Sequence, residues 1–296
     1  MSLSVVDPAA AVLSCEQVEQ FLRFGYVVLH DCFPRELAEA WTARAMARLG
    51  CRADDPATWP ASRIHMPGVE RRDLREFSPR LWRAACELLG GEERVRPCHV
   101  SDGFIINFRL GAGRPWRAPA PDAAAWHKDG DYFRHFLDSP EAGLLTLMLW
   151  SDLQPKGGGT FLARDSVPVV ARYLAERPEG VRPARLEVRR LMAECRDFVE
   201  VTGRVGDVVL MHPFMLHAAS PNHSGRPRFL TNPPLALKRP MSFRRARSRY
   251  SPVEAAVLRG LGVEALDFTP TGPRERITPA RVRNQRKLLA AERSRR

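Results

Sequence analysis

A chain of 296 residues with 44% apolar side chains has enough material for a buried core, which excludes intrinsic disorder as its organising principle. No run of 18 apolar residues occurs, and Met1-Ser2-Leu3-Ser4 does not open a basic-then-apolar leader, so neither a transmembrane helix nor a signal peptide is expected. The net charge of +12 suggests nucleic acid until it is located: residues 238–296 hold 16 Lys and Arg against 5 Asp and Glu, which leaves the rest of the chain at +1.

In chain order, Leu13 to Phe24 has helical spacing (Val18, Phe21, Leu22) with Ser14 as a cap and Gly25 as a stop. Tyr26 to His30 is β-rich, and Pro34 to Leu49 returns to a helical period closed by Gly50. Residues 51–80 show little periodicity and are expected to be irregular, as part of a substrate entrance. His65 lies there and reads as a surface or hydrogen-bonded histidine. A helix is expected over Ser78 to Leu89, and a strand over Phe104 to Leu110. Gly111 to Ala125, with three Pro and two Gly, should be a loop suited to a lid.

Leu144 to Leu149 and Thr160 to Leu162 are expected strands, the second opened by Gly157-Gly158-Gly159, which lacks the GK[ST] ending of a phosphate loop. Val167 to Leu174 reads as a helix, and Phe198 to Thr202 and Asp207 to Met211 as strands. Arg228 to Leu237 is a further strand, and its Pro233-Pro234 predicts an edge or a bulge. Pro252 to Leu261 and Pro279 to Arg293 close the chain as helices. Short strands in the middle and helices at both ends predict a mainly β core, sandwich or barrel, clad by helices. The six Cys form no CxxC pair, so free thiols in a reducing cytoplasm are expected.

The chemistry concentrates in two stretches. Trp126-His127-Lys128-Asp129-Gly130-Asp131 places His127 and Asp129 two residues apart, on one side of an extended strand. His217 follows 88 residues after Asp129, in Met211-His212-Pro213-Phe214-Met215-Leu216-His217, and Arg228 comes 11 residues later. Two imidazoles and one carboxylate make a facial set suited to Fe(II) with open coordination positions. An arginine offers a planar fork for a carboxylate such as that of 2-oxoglutarate. Spacing leaves three choices open: Asp129 or Asp131 as the carboxylate, His217 or His212 as the distal imidazole, and Arg228 or Arg226 as the anchor. Lys128 should point away from the metal by alternation. Trp126 and Trp150 read as packing residues near the site, His135 either as facing the active site or as a core or loop residue, and His223 as an exposed turn residue.

On these residues the chain resembles the phytanoyl-CoA dioxygenase family of Fe(II)/2-oxoglutarate oxygenases, from about Leu13 to Leu237. The resemblance implies a double-stranded β-helix (jelly-roll, cupin-like) core with iron held by His127, Asp129 and His217. It also implies 2-oxoglutarate bound by Arg228 with help from Ser220, and O2 as the oxidant. Related halogenases carry Ala or Gly in place of the carboxylate, so Asp129 favours hydroxylation. The resulting expectation is one dioxygenase domain over 1–240, with a helical part at 13–90 and a jelly-roll core at about 100–237. A basic helical extension, 241–296, would pack on or near it. The expected reaction is hydroxylation of a small or medium organic molecule, as in secondary metabolism, with release of succinate and CO2. Desaturation, epimerisation or ring formation at the same iron is the alternative, and a jelly-roll binding protein without turnover the rival class. A small-molecule partner is expected, with neither a membrane nor a nucleic acid, since few aromatics interleave with the tail's arginines.

Overall fold

The first helix begins where the sequence supplies a cap. In the computed structural model, which describes residues 11–60, 63–123, 125–244 and 250–293, α1 (Cys15–Phe24) is entered through a capping box and left through Gly25 at φ 71°. The Ser14 hydroxyl accepts from Gln17 N while the Gln17 side chain accepts from Ser14 N. β1 (Tyr26–Leu29) and α2 (Arg35–Leu49) follow as the periodicity predicts. The segment expected to be irregular contains more order than its composition suggests: β2 (Ile64–His65), β3 (Arg71–Asp73) and α3 (Leu74–Phe77). α4 (Pro79–Leu89) and β4 (His99–Ser101) come next. β5 is only Ile105–Asn107, shorter than the apolar run, because the Asn107 side chain accepts from Leu110 N and turns the chain.

The remaining elements are β6 (Leu145–Leu149), β7 (Thr160–Ala163), α5 (Ser166–Ala175), α6 (Val188–Met192), β8 (Phe198–Glu200), β9 (Val208–Met211), β10 (Leu216–Ala219), β11 (Arg228–Thr231), α7 (Pro252–Leu261) and α8 (Ala280–Arg293). Among the described residues the strands form two main antiparallel sheets, one in the order β1-β9-β6-β11-β5-β2 and one in the order β10-β7-β8, beside the separate pair β3-β4. His127 pairs with His217 through two backbone hydrogen bonds, His127 N to His217 O (2.9 Å) and His217 N to His127 O (3.0 Å), and so adds a fourth member beside β10. From β5 onward the chain crosses repeatedly between the two sheets, with β7 and β8 as a consecutive pair in the smaller one, which is the winding of a double-stranded β-helix.

The strand carrying Arg228 is not at an edge. β11 lies between β6 and β5, and it ends at Thr231, before the Pro pair. The prolines terminate a central strand rather than mark a boundary one; after them Leu235 pairs again with Leu144. The outer side of the large sheet is sealed by aromatic packing: Trp150 stacks on Trp41 at 4.9 Å and meets Phe33, Phe77 and Phe104. These rings fasten the helical N-terminal part to the core.

α7 lies outside the stretch that the family resemblance covers, yet it packs against α1, α4 and α5. Its Glu254 is fully buried, pairs with Arg94 at 2.6 Å and accepts from the backbone of Ser242 and Ser251. Burial opposes the carboxylate's charge, but the Arg94 guanidinium and the backbone donors outweigh it and hold the pKa below the usual range. A depressed folded-state pKa contributes stability above the unfolded value, and that contribution disappears as pH falls through the folded value. Arg94→Met is expected to destabilise the protein by about 3 kcal/mol, the usual cost of stranding a buried charge, when followed by urea denaturation at neutral pH. The gap to wild type should shrink as pH falls and Glu254 protonates.

Candidate active site

The two sheets bring His127, Asp129 and His217 together. One donor atom from each lies within 4.8 Å of the others. Asp129 Oδ1 is 3.5 Å from His127 Nε2 and 3.7 Å from His217 Nε2. Metal bonds of about 2.0–2.2 Å place adjacent donors about 3 Å apart, so the two carboxylate–imidazole distances are close to those an ion would require.

The atoms facing away from that point are all engaged. His127 Nδ1 lies 2.9 Å from the Ala125 carbonyl, and His217 Nδ1 lies 3.1 Å from the Met215 carbonyl. A carbonyl only accepts, so each Nδ1 carries the proton and each Nε2 keeps its lone pair for a metal. Asn232 Nδ2 donates to Asp129 Oδ2 at 3.3 Å, which leaves Oδ1 for the ion. Burial pulls the His217 imidazole down to about 4, helped by the neighbouring His127, so it is neutral and ready to ligate at physiological pH. The His127 side chain is 44% exposed, Asp129 27% and His217 6%. The open side of the set therefore faces the mouth, past His127.

The alternatives left open by spacing occupy different positions. After Asp129 the backbone turns at Gly130, φ 111°, where a Cβ would collide with Phe133 and His135. Asp131 is thereby swung outward into a bidentate pair with Arg281. His212 is buried away from the set, bonded to Val253 O and Phe214 N. Lys128 points away as expected, into a pocket with His135 Nδ1 at 3.1 Å, beside Phe133 and Phe214. Arg226 is exposed. His223 is only part-exposed, against the Gly111 carbonyl. Trp126 and Trp150 pack, with their indole N–H groups on Ala120 O and Thr231 Oγ1.

Arg228 is 2% exposed. Its Nε donates to Gly158 O at 2.7 Å and its Nη1 to Ile105 O at 3.3 Å, which fixes the guanidinium and leaves its remaining N–H groups free for an anion. Burial draws its pKa down to about 9, with a smaller push from Arg63, and it stays charged at neutral pH. Ser220 is placed differently from what the resemblance implies. Its hydroxyl donates toward Glu200 Oε1 at 2.8 Å, and no hydrogen bond joins it to Arg228 among the described residues. The buried polar groups beside Arg228 are Asn107 and Asn222, which lace β5 to the segment after β10. Gly158 holds its carbonyl on Arg228 at φ +79°, with space for a Cβ denied by Asn107 and Asn222 at 2.8 Å. Gly158→Ala should therefore shift that carbonyl and weaken 2-oxoglutarate binding about tenfold by calorimetry, since strain of this kind costs about 1–3 kcal/mol.

The pattern of the Phytanoyl-CoA dioxygenase (PhyH) family matches residues 21–230. The chain belongs to the phytanoyl-CoA dioxygenase family. It is an oxidoreductase of the iron- and 2-oxoglutarate-dependent class that the family represents. Solved structures of similar shape include AviO1 from Streptomyces viridochromogenes Tue57 (18% identity, 77% of this chain and 96% of that one, TM-score 0.47). Another is EctD from S. alaskensis with 2-oxoglutarate and 5-hydroxyectoine (19% identity, 79% of each chain, TM-score 0.47). A third is the epimerase SnoN in complex with Fe3+, alpha ketoglutarate and nogalamycin RO (18% identity, 93% of this chain and 98% of that one, TM-score 0.46). No curated protein sequence matches the chain. No helix among the described residues is long and apolar enough to cross a membrane.

The family match stops at residue 230, but the site does not. The C-terminal segment runs over the same mouth. Phe133 pairs with Arg276, Ile277 N donates to Tyr132 O at 2.7 Å, and Gln285 Nε2 reaches Met66 O at 3.5 Å. Arg274 pairs with Asp138, and Glu275 with Arg134 and Arg182. Asn232, Arg63, His65 and Arg281 were all absent from the sequence-based site. None belongs to the HxD…H…R pattern, and only their approach in space reveals them.

Proposed function

We propose that His127, Asp129 and His217 hold Fe(II) and that Arg228 binds the far carboxylate of 2-oxoglutarate, in an enzyme that hydroxylates a small or medium organic molecule. The observation that supports this most directly is the pair of free Nε2 atoms and the free Oδ1 converging on one point, each held by a bond on its other side. The cofactor pair, when bound with O2, supplies the oxidising power as 2-oxoglutarate is converted to succinate and CO2. The protein places and shelters. Arg228 fixes one end of the cosubstrate by charge in a site too buried to leave a carboxylate unpaired. Asp129 offsets part of the metal's charge with a hard oxygen. His217 closes the inner side against water while the His127 side stays open to the substrate.

We place residues 241–296 as an extension of the same domain, supported by the packing of α7 and the Arg281–Asp131 pair. The cytoplasm is the proposed location, supported by six unpaired cysteines. The test is succinate release from 2-oxoglutarate with Fe(II), ascorbate and O2, across a panel of candidate substrates. Turnover, coupled or uncoupled, supports the enzyme. Tight 2-oxoglutarate binding with no succinate formed under any condition would replace it with a binding protein.

A further inference from the structure

Arg63 pairs with no carboxylate at ion-pair distance among the described residues, and Asp129 acts on it only from farther off. Among the described residues it makes no hydrogen bond and no ion pair, although it is only partly exposed. It immediately precedes β2, whose register sets Ile64 opposite Ile106 and His65 opposite Ile105 on β5. β5 in turn sets Asn107 opposite Arg228 on β11. Extending that ladder by one residue puts Arg63 across from Asn107, in one row with Arg228 on the inner face of the large sheet, because directly opposed residues share a face. His65, two residues on, continues the same side. Across the mouth, Arg281 of α8 is moored to Asp131, and Gln285 is bonded to Met66, beside His65.

Charge bears out this placement. Burial lowers the Arg63 pKa, with Asp129 opposing, and pulls His65 down to about 4, with Arg63, Arg281 and Arg228 all pressing the same way. The three guanidinium charges together outweigh Asp129, whose charge acts on His65 the other way. Arg281 has its carboxylate, and Arg228 has the cosubstrate in the reading above; Arg63 has neither. A partly buried cation facing like charges is costly, and an anion seated on it removes the cost.

We propose that Arg63 is the substrate-binding residue for an anionic group, so that the organic substrate is a carboxylate or phosphate whose charge is seated on β2 at the mouth. This rests on the iron and 2-oxoglutarate reading, because it assigns Arg228 to the cosubstrate and leaves Arg63 to the substrate. It also gives β2, two residues long, a purpose beyond pairing: it holds the seat on the rigid sheet that carries the cosubstrate anchor.

The test uses the full-length protein loaded with Mn(II), which binds like Fe(II) without oxidising the sample, and titrated by calorimetry. The first titration is with 2-oxoglutarate; if wild type fails to bind it, the parent reading has failed and the proposal falls with it, before any other anion is added. With 2-oxoglutarate saturating, inorganic phosphate and acetate follow as separate probes, and whichever binds more tightly names the anion class. Arg63→Gln should weaken that anion about tenfold or more, the usual loss when a charged hydrogen-bond donor is removed, and Arg63→Lys should restore part of it. The affinity for 2-oxoglutarate should change by less than about twofold, well under the effect of losing a charged bond. The proposal is overturned if neither anion binds wild type, or if Arg63→Gln binds it as well as wild type. It is equally overturned if Arg63→Gln instead costs tenfold in 2-oxoglutarate affinity, which would make Arg63 a second cosubstrate anchor.

Discussion

Replacing Asp129 with alanine is expected to abolish iron binding and turnover together. Asp129 is the one anionic member of the set, and its Oδ1 lies between the two imidazole nitrogens at 3.5 and 3.7 Å. Without it, two neutral imidazoles remain on one side of a 2+ ion in a partly open site, where water competes for the vacated position. Metal binding stabilises the folded state by about 2.7 kcal/mol when free metal is a hundredfold above its dissociation constant. The wild-type melting temperature should therefore rise on adding Mn(II) or Fe(II), and that of Asp129→Ala should not. Succinate release should fall by about a thousandfold or more, equivalent to ~4 kcal/mol of lost stabilisation. Asp131→Ala supplies the contrast. Its carboxylate is turned out to Arg281, so the metal-dependent rise in melting temperature should persist. A rise that survived in Asp129→Ala but vanished in Asp131→Ala would exchange the two assignments.

Arg228→Ala should act on the cosubstrate instead. The guanidinium is 2% exposed and already held by Gly158 O and Ile105 O, so a carboxylate arriving there meets a donor that needs no rearrangement. Truncating one partner of a buried charge-assisted pair costs about 2–5 kcal/mol, and the KM for 2-oxoglutarate should rise about a hundredfold. At saturating 2-oxoglutarate kcat should be much less affected, and iron binding in the absence of cosubstrate should match wild type. A variant that lost iron but kept its 2-oxoglutarate KM would show that Arg228 supports the metal ligands rather than the cosubstrate.

The helices were legible in the sequence because their punctuation is local. Ser14, Gly25, Gly50, Ser78 and Gly90 each cap or stop a helix in the expected place. The metal set was legible because HxD and the distal histidine are unusual in combination. The choice between Asp129 and Asp131 was not, since a period of two cannot separate them; a backbone turn at Gly130 does, and φ is not written in spacing. Of the two readings that Pro233-Pro234 offered, an edge or a bulge, the edge does not hold. Prolines exclude the residues they occupy from a ladder, but they do not place the strand before them at an edge, and β11 is central. β2 escaped notice because two residues carry no periodicity, and its partner β5 begins 40 residues away. Arg63 and Arg281 escaped as well, and His65 was noticed only as a surface or hydrogen-bonded histidine. Ser220 marks the limit of carrying a role over by position: its place in the chain suits the cosubstrate, and its hydroxyl is spent on Glu200.

The reciprocal hydrogen bonds between the backbones of His127 and His217 also bear on how this chain tolerates change. They fix the distance between two metal ligands by the spacing of neighbouring strands, about 4.8 Å, and not by the length of polypeptide that connects them. Insertions or deletions at the exposed residues 112–115, between β5 and the His127 stretch, are therefore expected to leave the ion's cradle untouched while reshaping the rim around it. Substrate preference can drift through those lengths at little risk to the chemistry beneath.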